Sequence, residues 1–529
     1  MRRKIVKTQY GMVMGVPADR EDVILYKGIP IGADTALENR FCEPQPAVCW
    51  EDVYMCDHWP DRFLQEPHAE ESFWKEEFHG DIEYEPGNSE NGLAVNLYAP
   101  IESEEKLPVF VYIHGGGFMT GYASEEEFNA SNLAANGVIV VLLQYRLGAL
   151  GWLALPELSA QSKRGVSGNY AVLDMIFGLR WVKDNIAAFG GDPEKVTIAG
   201  QSAGAMSVTC LLRSPLAKGL FQKVIIQSGF NGFLNMPGLG NDFRPIRDAE
   251  KQNEEALAEI FGRKMTLADL RAIPTADLLK PGPHEKKDAE GNQMSLFMEM
   301  SLAVGQMVMD GYVFTEESID LLRKENLEGI QIMMGGTTDE ATTLIGDYLY
   351  TLDITPGNAE EKMRQRFGDG SEKFYELASK ADAEFSFMRA ISDRCFQKYL
   401  LTAKMAGKEN DCKIYVYRFA QVPPGRNAEF RGAYHSSDLW YMFNSMRRKE
   451  NQRNWAEKDY QMANVMSKYW MNFVKYGDPN GAGLIRWDPC REEDGLCFLE
   501  LKDGTASMRM DTGQKERDLY YRRWLMRYC

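Results

Sequence analysis

Ser202 stands at the centre of Gly200-Gln201-Ser202-Ala203-Gly204, which is a G-x-S-x-G pattern. A β-branched apolar run enters the pattern, and small residues lead from it into a predicted helix. A tight strand-to-helix turn of this kind exposes a serine hydroxyl at a helix N-terminus, where backbone N–H groups favour developing negative charge. The pattern therefore predicts a nucleophilic serine. The alternative is a glycine-rich turn that carries an incidental serine.

A nucleophilic serine needs hydrogen-bond donors for the oxyanion that forms when it attacks a carbonyl group. His114 precedes Gly115-Gly116-Gly117 after an apolar run, and three glycines let the backbone N–H groups turn toward a substrate without hindrance. We assign the N–H groups of Gly116, Gly117 and Ala203 as these donors. The alternatives are a flexible turn and a phosphate-binding loop. No lysine follows the glycines, which disfavours the phosphate loop.

The chain has six histidines, and only His284 and His435 follow Ser202. In strand–turn–helix hydrolases the serine, the acid and the histidine occur in that order along the chain. His284 is in a polar loop without a preceding strand, whereas His435 follows the strand-like run KIYVYRFA. We therefore predict His435 as the general base, with His284 at the surface and His114 in a structural role.

Two adjacent carboxylates, Asp339 and Glu340, follow the strand-like run QIMMGGTT between the serine and the histidine. Either could hold the required tautomer of the histidine and stabilise its imidazolium form. Spacing alone does not choose between them. Capping of a helix start is the alternative role for such a pair.

These candidate residues follow apolar runs that alternate with helix-like runs from residue 93 to residue 230. Strand–helix alternation with near-continuous apolar strands predicts an α/β fold with a mostly parallel sheet and helices on both faces. Residues 1–33 predict an antiparallel hairpin and a further strand, and residues 51–90 predict a loop with one or two helical turns. We expect one catalytic domain over residues 1–529, with helical insertions at about 231–330 and 345–410 and a C-terminal helix, ERDLYYRRWLMRYC.

Charge and cysteine content exclude several classes of protein. The net charge is −17, which disfavours nucleic-acid binding because phosphates require basic patches. No stretch approaches the ~20 apolar residues of a transmembrane helix, and the basic N-terminus lacks the apolar run of a secretory leader. Nine scattered cysteines favour reduced thiols. We expect a cytoplasmic protein without membrane or nucleic-acid partners.

A metal site is the other function that the cysteines could suggest. Cys42, Cys49 and Cys56 lie near His58, but their spacing matches no zinc-ligand pattern. We predict no metal, and interpret these cysteines as buried or half-exposed thiols.

Several segments of the sequence together resemble the type-B carboxylesterase family of the α/β-hydrolase superfamily, which includes cholinesterases and bacterial para-nitrobenzyl esterases. The resemblance covers nearly the whole chain and is carried by YKGIPIG (26–32), NSENGLAVNLYAP (88–100), RLGALGWLA (146–154), residues 167–204, VIIQSG (224–229) and GAYHSSDLWYMF (432–443). It implies an α/β-hydrolase fold with helical insertions that form a gorge over the site, and a bacterial-type serine carboxylesterase that needs no cofactor. It also implies that Glu340, which precedes Ala341, is the acid of the triad.

Three features depart from the family pattern. Leu64 and Gly92 stand at the positions of the family's N-terminal disulfide, which fits a reducing compartment and leaves the 64–92 loop untied. Gln201 replaces the glutamate of cholinesterases, which removes one negative charge beside the nucleophile. Asp438 replaces a frequent glutamate, and we expect it to support the histidine without loss of chemistry.

We expect hydrolysis of small-molecule carboxylic esters through an acyl-enzyme, by a monomer or a small homo-oligomer. Candidate substrate-pocket residues are Phe118, Tyr122, Gln201, Phe230 and Phe233, although some of the aromatic ones could equally belong to the core. Aryl or phenolic esters are conceivable substrates. Two other functions stay open, namely an amide or carbamate hydrolase on the same triad and a non-catalytic binding module of the same fold.

Overall fold

The structure is a computed structural model that describes residues 3–68, 72–229, 243–287, 293–305, 307–320, 324–344, 357–358, 361–362, 364–365, 383–410, 412–425, 428–446, 453–491 and 495–511. The chain divides into two compact units, one of residues 1–222 and 236–321 and one of residues 223–235 and 322–529. The single catalytic domain stays a prediction. The predicted C-terminal helix lies outside the described residues.

The first unit contains most of the strands. They are β1 (Lys4–Lys7), β2 (Met12–Pro17), β3 (Val23–Pro30), β4 (Val53–Cys56), β5 (Arg62–Phe63), β6 (Asn88–Ser89), β7 (Ala94–Pro100), β8 (Leu107–Ile113), β9 (Ile139–Leu143) and β10 (Gly191–Gln201). Two further strands of two residues each, Arg244–Pro245 and Val308–Met309, pair with each other in parallel. Its helices are α1 (Phe73–Phe78), α2 (Ser131–Ala135), α3 (Gly148–Trp152), α4 (Pro156–Gln161), α5 (Tyr170–Asn185), α6 (Ala203–Arg213), α7 (Ile246–Phe261), α8 (Leu267–Ala272), α9 (Thr275–Leu278) and α10 (Leu296–Ala303).

The strands of the first unit pair in the order β1-β2-β3-β7-β9-β8-β10, with β4 beside β2. The pairs from β1 to β9 along this order are antiparallel, and β8 is parallel to both β9 and β10. All of β9 and the last five residues of β8 are buried, which is typical of parallel strands covered on both faces.

The register of β8 and β10 determines where the candidate nucleophile lies. Gly200 pairs with Ile113, so these parallel strands end at the same edge of the sheet. The G-x-S-x-G turn follows β10, and the Gly115–Gly117 loop follows β8. In open α/β sheets, ligands bind outside the carboxyl ends of the strands, at this kind of edge.

The second unit contains five strands among its described residues: β11 (Lys223–Gln227), β12 (Gln331–Thr337), β13 (Ile414–Phe419), β14 (Cys497–Lys502) and β15 (Thr505–Met510). They pair in this order, with β11 to β14 parallel and β15 antiparallel to β14. The helices are α11 (Lys324–Leu327), α12 (Ala341–Leu344), α13 (Ala383–Asn410), α14 (Ala428–Arg431), α15 (Leu439–Met442) and α16 (Glu457–Tyr476).

The ends of β12 and β13 also lie at one edge, because Thr337 pairs with Phe419. Beyond this edge an isolated parallel bridge joins Asp339 to Tyr434. The loop that carries the two candidate acids therefore lies beside the loop that carries the candidate base.

The α/β fold with mostly parallel strands is confirmed. The N-terminal hairpin forms as predicted, and so do strands at the apolar runs between residues 93 and 230 and at the runs QIMMGGTT and KIYVYRFA. The β14–β15 hairpin and the edge strand β4 were not predicted. None of the helices in the described part of the chain has both the length and the apolar content needed to cross a membrane.

Candidate active site

Ser202 occupies a strained turn between β10 and α6. Its backbone has φ 56° and ψ −124°, a conformation that residues other than glycine rarely adopt. Its carbonyl group accepts the first hydrogen bond of the helix, from Met206 N–H at 3.0 Å. From Val196 to Ser214, all described, Ser202 is the one residue that is not buried. The turn therefore presents one serine at the surface of an otherwise buried segment.

The two flanking glycines permit this turn by close packing. A Cβ atom on Gly204 would collide with the carbonyl oxygen of Ile113, and one on Gly200 would collide with Gly204. The start of α6 therefore packs directly on the end of β8. The first N–H groups of a helix have no acceptor within the helix, so Ala203 begins α6 with a donor beside the serine.

The glycine loop after β8 lies against Ser202. A Cβ atom on Gly115 would lie 3.3 Å from the Cβ atom of Ser202. Gly116 and Gly117 have φ values of 93° and 63°, which favour glycine. Within the described part of the chain, the N–H groups of Gly116 and Gly117 donate to no protein acceptor. The loop thus offers free donors next to the candidate nucleophile.

His114 anchors the start of this loop and is not placed for proton transfer. Its ring stacks on Tyr145 at a centroid distance of 4.4 Å, and its Nδ1 lies 3.0 Å from the carbonyl oxygen of Gly115. Burial lowers the pKa of His114 to about 4, so the ring is neutral near pH 7. The Tyr145 hydroxyl donates to the carbonyl group of His114 at 3.0 Å. Nothing in the sequence had indicated this role of Tyr145.

The second unit brings His435 and Glu340 together. Nδ1 of His435 lies 2.6 Å from Oε2 of Glu340, and both side chains are buried. A carboxylate only accepts hydrogen bonds, so Nδ1 carries the proton and Nε2 is left as a base. The other oxygen, Oε1, accepts from Thr337 N–H at 2.8 Å, which fixes the orientation of the carboxylate.

Asp339, the other carboxylate left open by spacing, holds the two loops together. Its carboxylate accepts from Ala433 N–H at 3.0 Å and from the Thr338 hydroxyl at 2.7 Å. Its own N–H donates to the carbonyl group of Ala433 at 3.0 Å. Asp339 therefore ties the loop of the acids to the loop of His435, while Glu340 contacts the imidazole.

Asp438 is buried three residues after His435. Its Oδ2 accepts from the Tyr417 hydroxyl at 2.9 Å and from Gln227 Nε2 at 3.1 Å. Its Oδ1 has no hydrogen-bond partner among the described residues. Burial, followed by the nearby charge of Glu340, raises the pKa of Asp438 to about 6. This side chain supports the region around the histidine, and its ionised form is destabilised there.

Three of the five candidate pocket residues lie in the described part of the chain, and all three are buried. The Phe118 ring is fully buried and packs edge-on against Trp152 at 5.1 Å. Tyr122 is also buried, and its hydroxyl lies 3.0 Å from Nδ1 of His79. This packing favours the core role that the sequence had left open for both. Gln201 is buried beside Gly115. Phe230 and Phe233 lie outside the described residues.

The structure brings Ser202 together with the Gly115–Gly117 loop in the first unit, and His435 with Glu340 in the second. No group of three or more His, Cys, Asp or Glu side chains within the described ranges is arranged to hold a metal ion. His284 is exposed, in agreement with the predicted surface position, and its Nδ1 lies 3.2 Å from the buried Glu299. An unburied serine beside backbone N–H groups that donate to no acceptor among the described residues, and a buried imidazole–carboxylate pair, are the kinds of group that acyl transfer uses.

The sequence of the chain matches the Carboxylesterase family over residues 2–521. The para-nitrobenzyl esterase of Bacillus subtilis (strain 168) is 30% identical over 509 residues, with 93% of this chain and 94% of that protein covered. The fumonisin B1 esterase of Sphingopyxis macrogoltabida is 29% identical, with 92% and 84% covered.

Solved structures agree with these matches. A carboxylesterase of Geobacillus stearothermophilus at pH 6.2 has a TM-score of 0.77 at 26% identity, covering 98% of this chain and 100% of its own. A PNB esterase has a TM-score of 0.76 at 27% identity, with 98% and 99% covered. The chain belongs to the carboxylesterase family and is a carboxylic ester hydrolase with an α/β-hydrolase fold.

Proposed function

We propose that the chain hydrolyses carboxylic esters through an acyl-enzyme intermediate on Ser202, with His435 as the general base and Glu340 as its partner. The observation that carries this proposal is the conformation of Ser202, an unburied serine in a strained turn beside the free N–H groups of Gly116 and Gly117. Strained backbone conformations occur preferentially at functional residues, and Ser202 is a polar residue in such a conformation.

The proposed acylation step begins with attack of Ser202 Oγ on the ester carbonyl carbon while Nε2 of His435 takes the hydroxyl proton. The N–H groups of Gly116, Gly117 and Ala203 stabilise the resulting oxyanion. Collapse of this tetrahedral intermediate breaks the bond to the alcohol, which leaves with the proton from His435. Water then attacks the acyl-enzyme by the same route, releases the carboxylic acid and regenerates Ser202.

Glu340 contributes through the tautomer of His435. The 2.6 Å contact at Nδ1 leaves the lone pair on Nε2 available for the serine proton. The carboxylate also stabilises the imidazolium that forms during each proton transfer. No step of this mechanism requires a cofactor.

We infer that the substrates are small neutral esters. Gln201 beside the serine carries no charge, which gives no local preference for a cationic substrate. The printed names of the relatives include a para-nitrobenzyl esterase and a fatty acyl-CoA hydrolase, so aryl esters and medium acyl chains are the classes to test first.

We further propose a cytoplasmic enzyme that acts as a monomer or a small homo-oligomer. Support for a reducing compartment comes from the eight cysteines in the described part of the chain, none of which forms a disulfide bond there. Residues 64 and 92, where the family has its disulfide, are leucine and glycine here.

The experiment is hydrolysis of p-nitrophenyl acetate, butyrate and octanoate and of a methyl hydroxycinnamate by wild type and Ser202→Ala. A matched control is Ser214→Ala, because Ser214 is a buried serine after α6 whose hydroxyl bonds to the Val313 carbonyl group at 2.8 Å. We expect Ser202→Ala to lose activity and Ser214→Ala to keep it. Full activity in Ser202→Ala would overturn the proposal. The corresponding p-nitroanilides measure whether amides are cleaved by the same site.

A further inference from the structure

Gln65 forms a pair of hydrogen bonds with Gly121, four residues after the Gly115–Gly117 loop. Its Oε1 accepts from Gly121 N–H at 2.9 Å, and its Nε2 donates to the Gly121 carbonyl group at 3.0 Å. The side chain is buried, so the loss of either hydrogen bond would leave a buried polar group without a water molecule to replace its partner. One side-chain amide thus satisfies both polar groups of one peptide residue, as a neighbouring strand would.

The orientation of this amide is determined by a third contact. Nε2 of Gln65 also donates to the Phe63 carbonyl group at 2.9 Å. Rotation of the amide by 180° would place its oxygen against two carbonyl oxygens and its NH₂ group against an N–H donor. The backbone of Gln65 is held in turn by Asn88, which accepts from Gln65 N–H at 3.1 Å and donates to its carbonyl group at 2.6 Å.

Close backbone contacts connect Gly121 to the nucleophile. Gly121 has φ 100°, and a Cβ atom there would lie 2.7 Å from the carbonyl oxygen of Gly115 and 2.6 Å from Nδ1 of His114. Gly115 in turn packs against Ser202, where its own Cβ would lie 3.3 Å from that of the serine. A shift of Gly121 would therefore move the segment that precedes the two proposed oxyanion donors.

We propose that Gln65 is a positioning residue for the oxyanion donors, acting through Gly121 on the Gly115–Gly117 loop. This proposal rests on the proposed function, because it requires Gly116 and Gly117 to bind the oxyanion. The segment that begins at Leu64 is thereby part of the catalytic framework. Its anchor is the Gln65 amide, at a position adjacent to that of the family disulfide.

The variant that tests this role is Gln65→Glu. It keeps the shape of the side chain but places a carboxylate oxygen against the carbonyl groups of Phe63 and Gly121. The matched control is Gln144→Glu. Gln144 is also buried, donates to the carbonyl groups of Asp61 at 3.0 Å and Gly92 at 2.9 Å, and accepts from Ala123 N–H at 3.3 Å.

Both substitutions remove the same kind of contacts, so we expect similar decreases in the thermal unfolding midpoint. We expect Gln65→Glu to lower kcat on p-nitrophenyl butyrate about 10- to 100-fold, with KM within about threefold of wild type, because displaced donors weaken only transition-state binding. Affinity for a trifluoromethyl ketone, which forms a tetrahedral adduct with the serine, should fall by the same factor as kcat. Gln144→Glu should stay within about threefold of wild type in both measurements.

Equal losses of kcat in the two variants, or an unchanged trifluoromethyl ketone affinity in Gln65→Glu, would overturn the positioning role. If the glutamate variants do not fold, Gln65→Asn and Gln144→Asn provide the same comparison, because the shorter amide of Gln65→Asn cannot reach Gly121. Failure of the proposed function is seen separately, as hydrolysis that survives Ser202→Ala, and that outcome would also overturn the role of Gln65.

Discussion

His435 and Glu340 form a 2.6 Å hydrogen bond in a buried site, while the adjacent Asp339 bonds to the backbone of Ala433. Two neighbouring carboxylates on one loop therefore have different partners. Glu340 contacts the imidazole of His435, and Asp339 holds the loop that carries His435 in place. Proton transfer and loop geometry thus depend on different residues, which can be changed one at a time.

Glu340→Gln should reduce kcat about 10³- to 10⁴-fold on p-nitrophenyl butyrate with little effect on thermal stability, because a neutral amide no longer stabilises the imidazolium or fixes its tautomer. Asp339→Asn should show the reverse pattern. Its loss of a charge-assisted bond to Ala433 N–H should lower the free energy of unfolding by about 1–3 kcal/mol, with a smaller decrease in kcat. Steady-state kinetics and thermal unfolding of both variants measure the difference. Equal kinetic losses would contradict the separate roles.

Ser202→Gly should unfold at a higher temperature than Ser202→Ala, although both remove the nucleophile. The backbone at position 202 has φ 56° and ψ −124°, which glycine adopts without the strain that alanine retains. Strain of this kind typically costs about 1–3 kcal/mol, and the greater chain entropy of glycine offsets part of the gain. Differential scanning calorimetry of the two inactive variants measures the net effect. A less stable glycine variant would show that the turn is not strained.

Gly116→Ala and Gly117→Ala should differ in severity. A Cβ atom at position 116 would collide with the Thr120 carbonyl group, whereas at position 117 no atom lies within 4 Å. Gly116→Ala should therefore displace the loop and lower kcat about 10²- to 10³-fold, the typical effect of losing an oxyanion donor. Gly117→Ala meets only the cost of its positive φ and should retain more activity. Kinetics on one ester with both variants give the comparison, and the opposite order would argue against this packing.

Asp438→Asn should stabilise the protein at neutral pH more than at acidic pH. The pKa of Asp438 is raised to about 6 in the folded chain from an ordinary value of 3.8, so the folded state binds the proton more tightly. Wild type therefore loses stability as the pH rises from about 4 through 6, and the asparagine variant does not. Between pH 5 and pH 8 the stability difference should grow by about 1–2 kcal/mol in favour of the variant. Thermal unfolding of both proteins across this range tests the sign, and a constant difference would contradict it.

Local patterns in the sequence predicted the elements that carry the candidate residues. An apolar run with a recognisable end precedes each of them. This holds for the turn and helix at Ser202, for the Gly115–Gly117 loop and for the loop that carries His435. Long-range contacts left no such signal, because a single glutamine at position 65 or a tyrosine at position 145 resembles any other buried polar residue. The β14–β15 hairpin was missed for a related reason, since its short strands mix charged and apolar residues.

The aromatic residues near the loop illustrate the same difficulty. Phe118 and Tyr122 lie close in sequence to the proposed oxyanion donors, which made them candidates for the pocket. Phe118 has a positive φ of 63°, and its ring packs against Trp152. The Tyr122 hydroxyl is in hydrogen-bond contact with His79. In a loop with left-handed backbone conformations, the position of a residue in the sequence does not predict the direction of its side chain.

Titration with diethyl p-nitrophenyl phosphate tests whether Ser202 is the nucleophile of this esterase. Serine attack on phosphorus releases one p-nitrophenolate and leaves a stable diethyl phosphoryl group on the oxygen. We expect one equivalent of p-nitrophenolate per active chain, a proportional loss of esterase activity, and peptide mapping that places the diethyl phosphoryl group on Ser202. Turnover that survives complete modification, or a phosphoryl group on another residue, would contradict it.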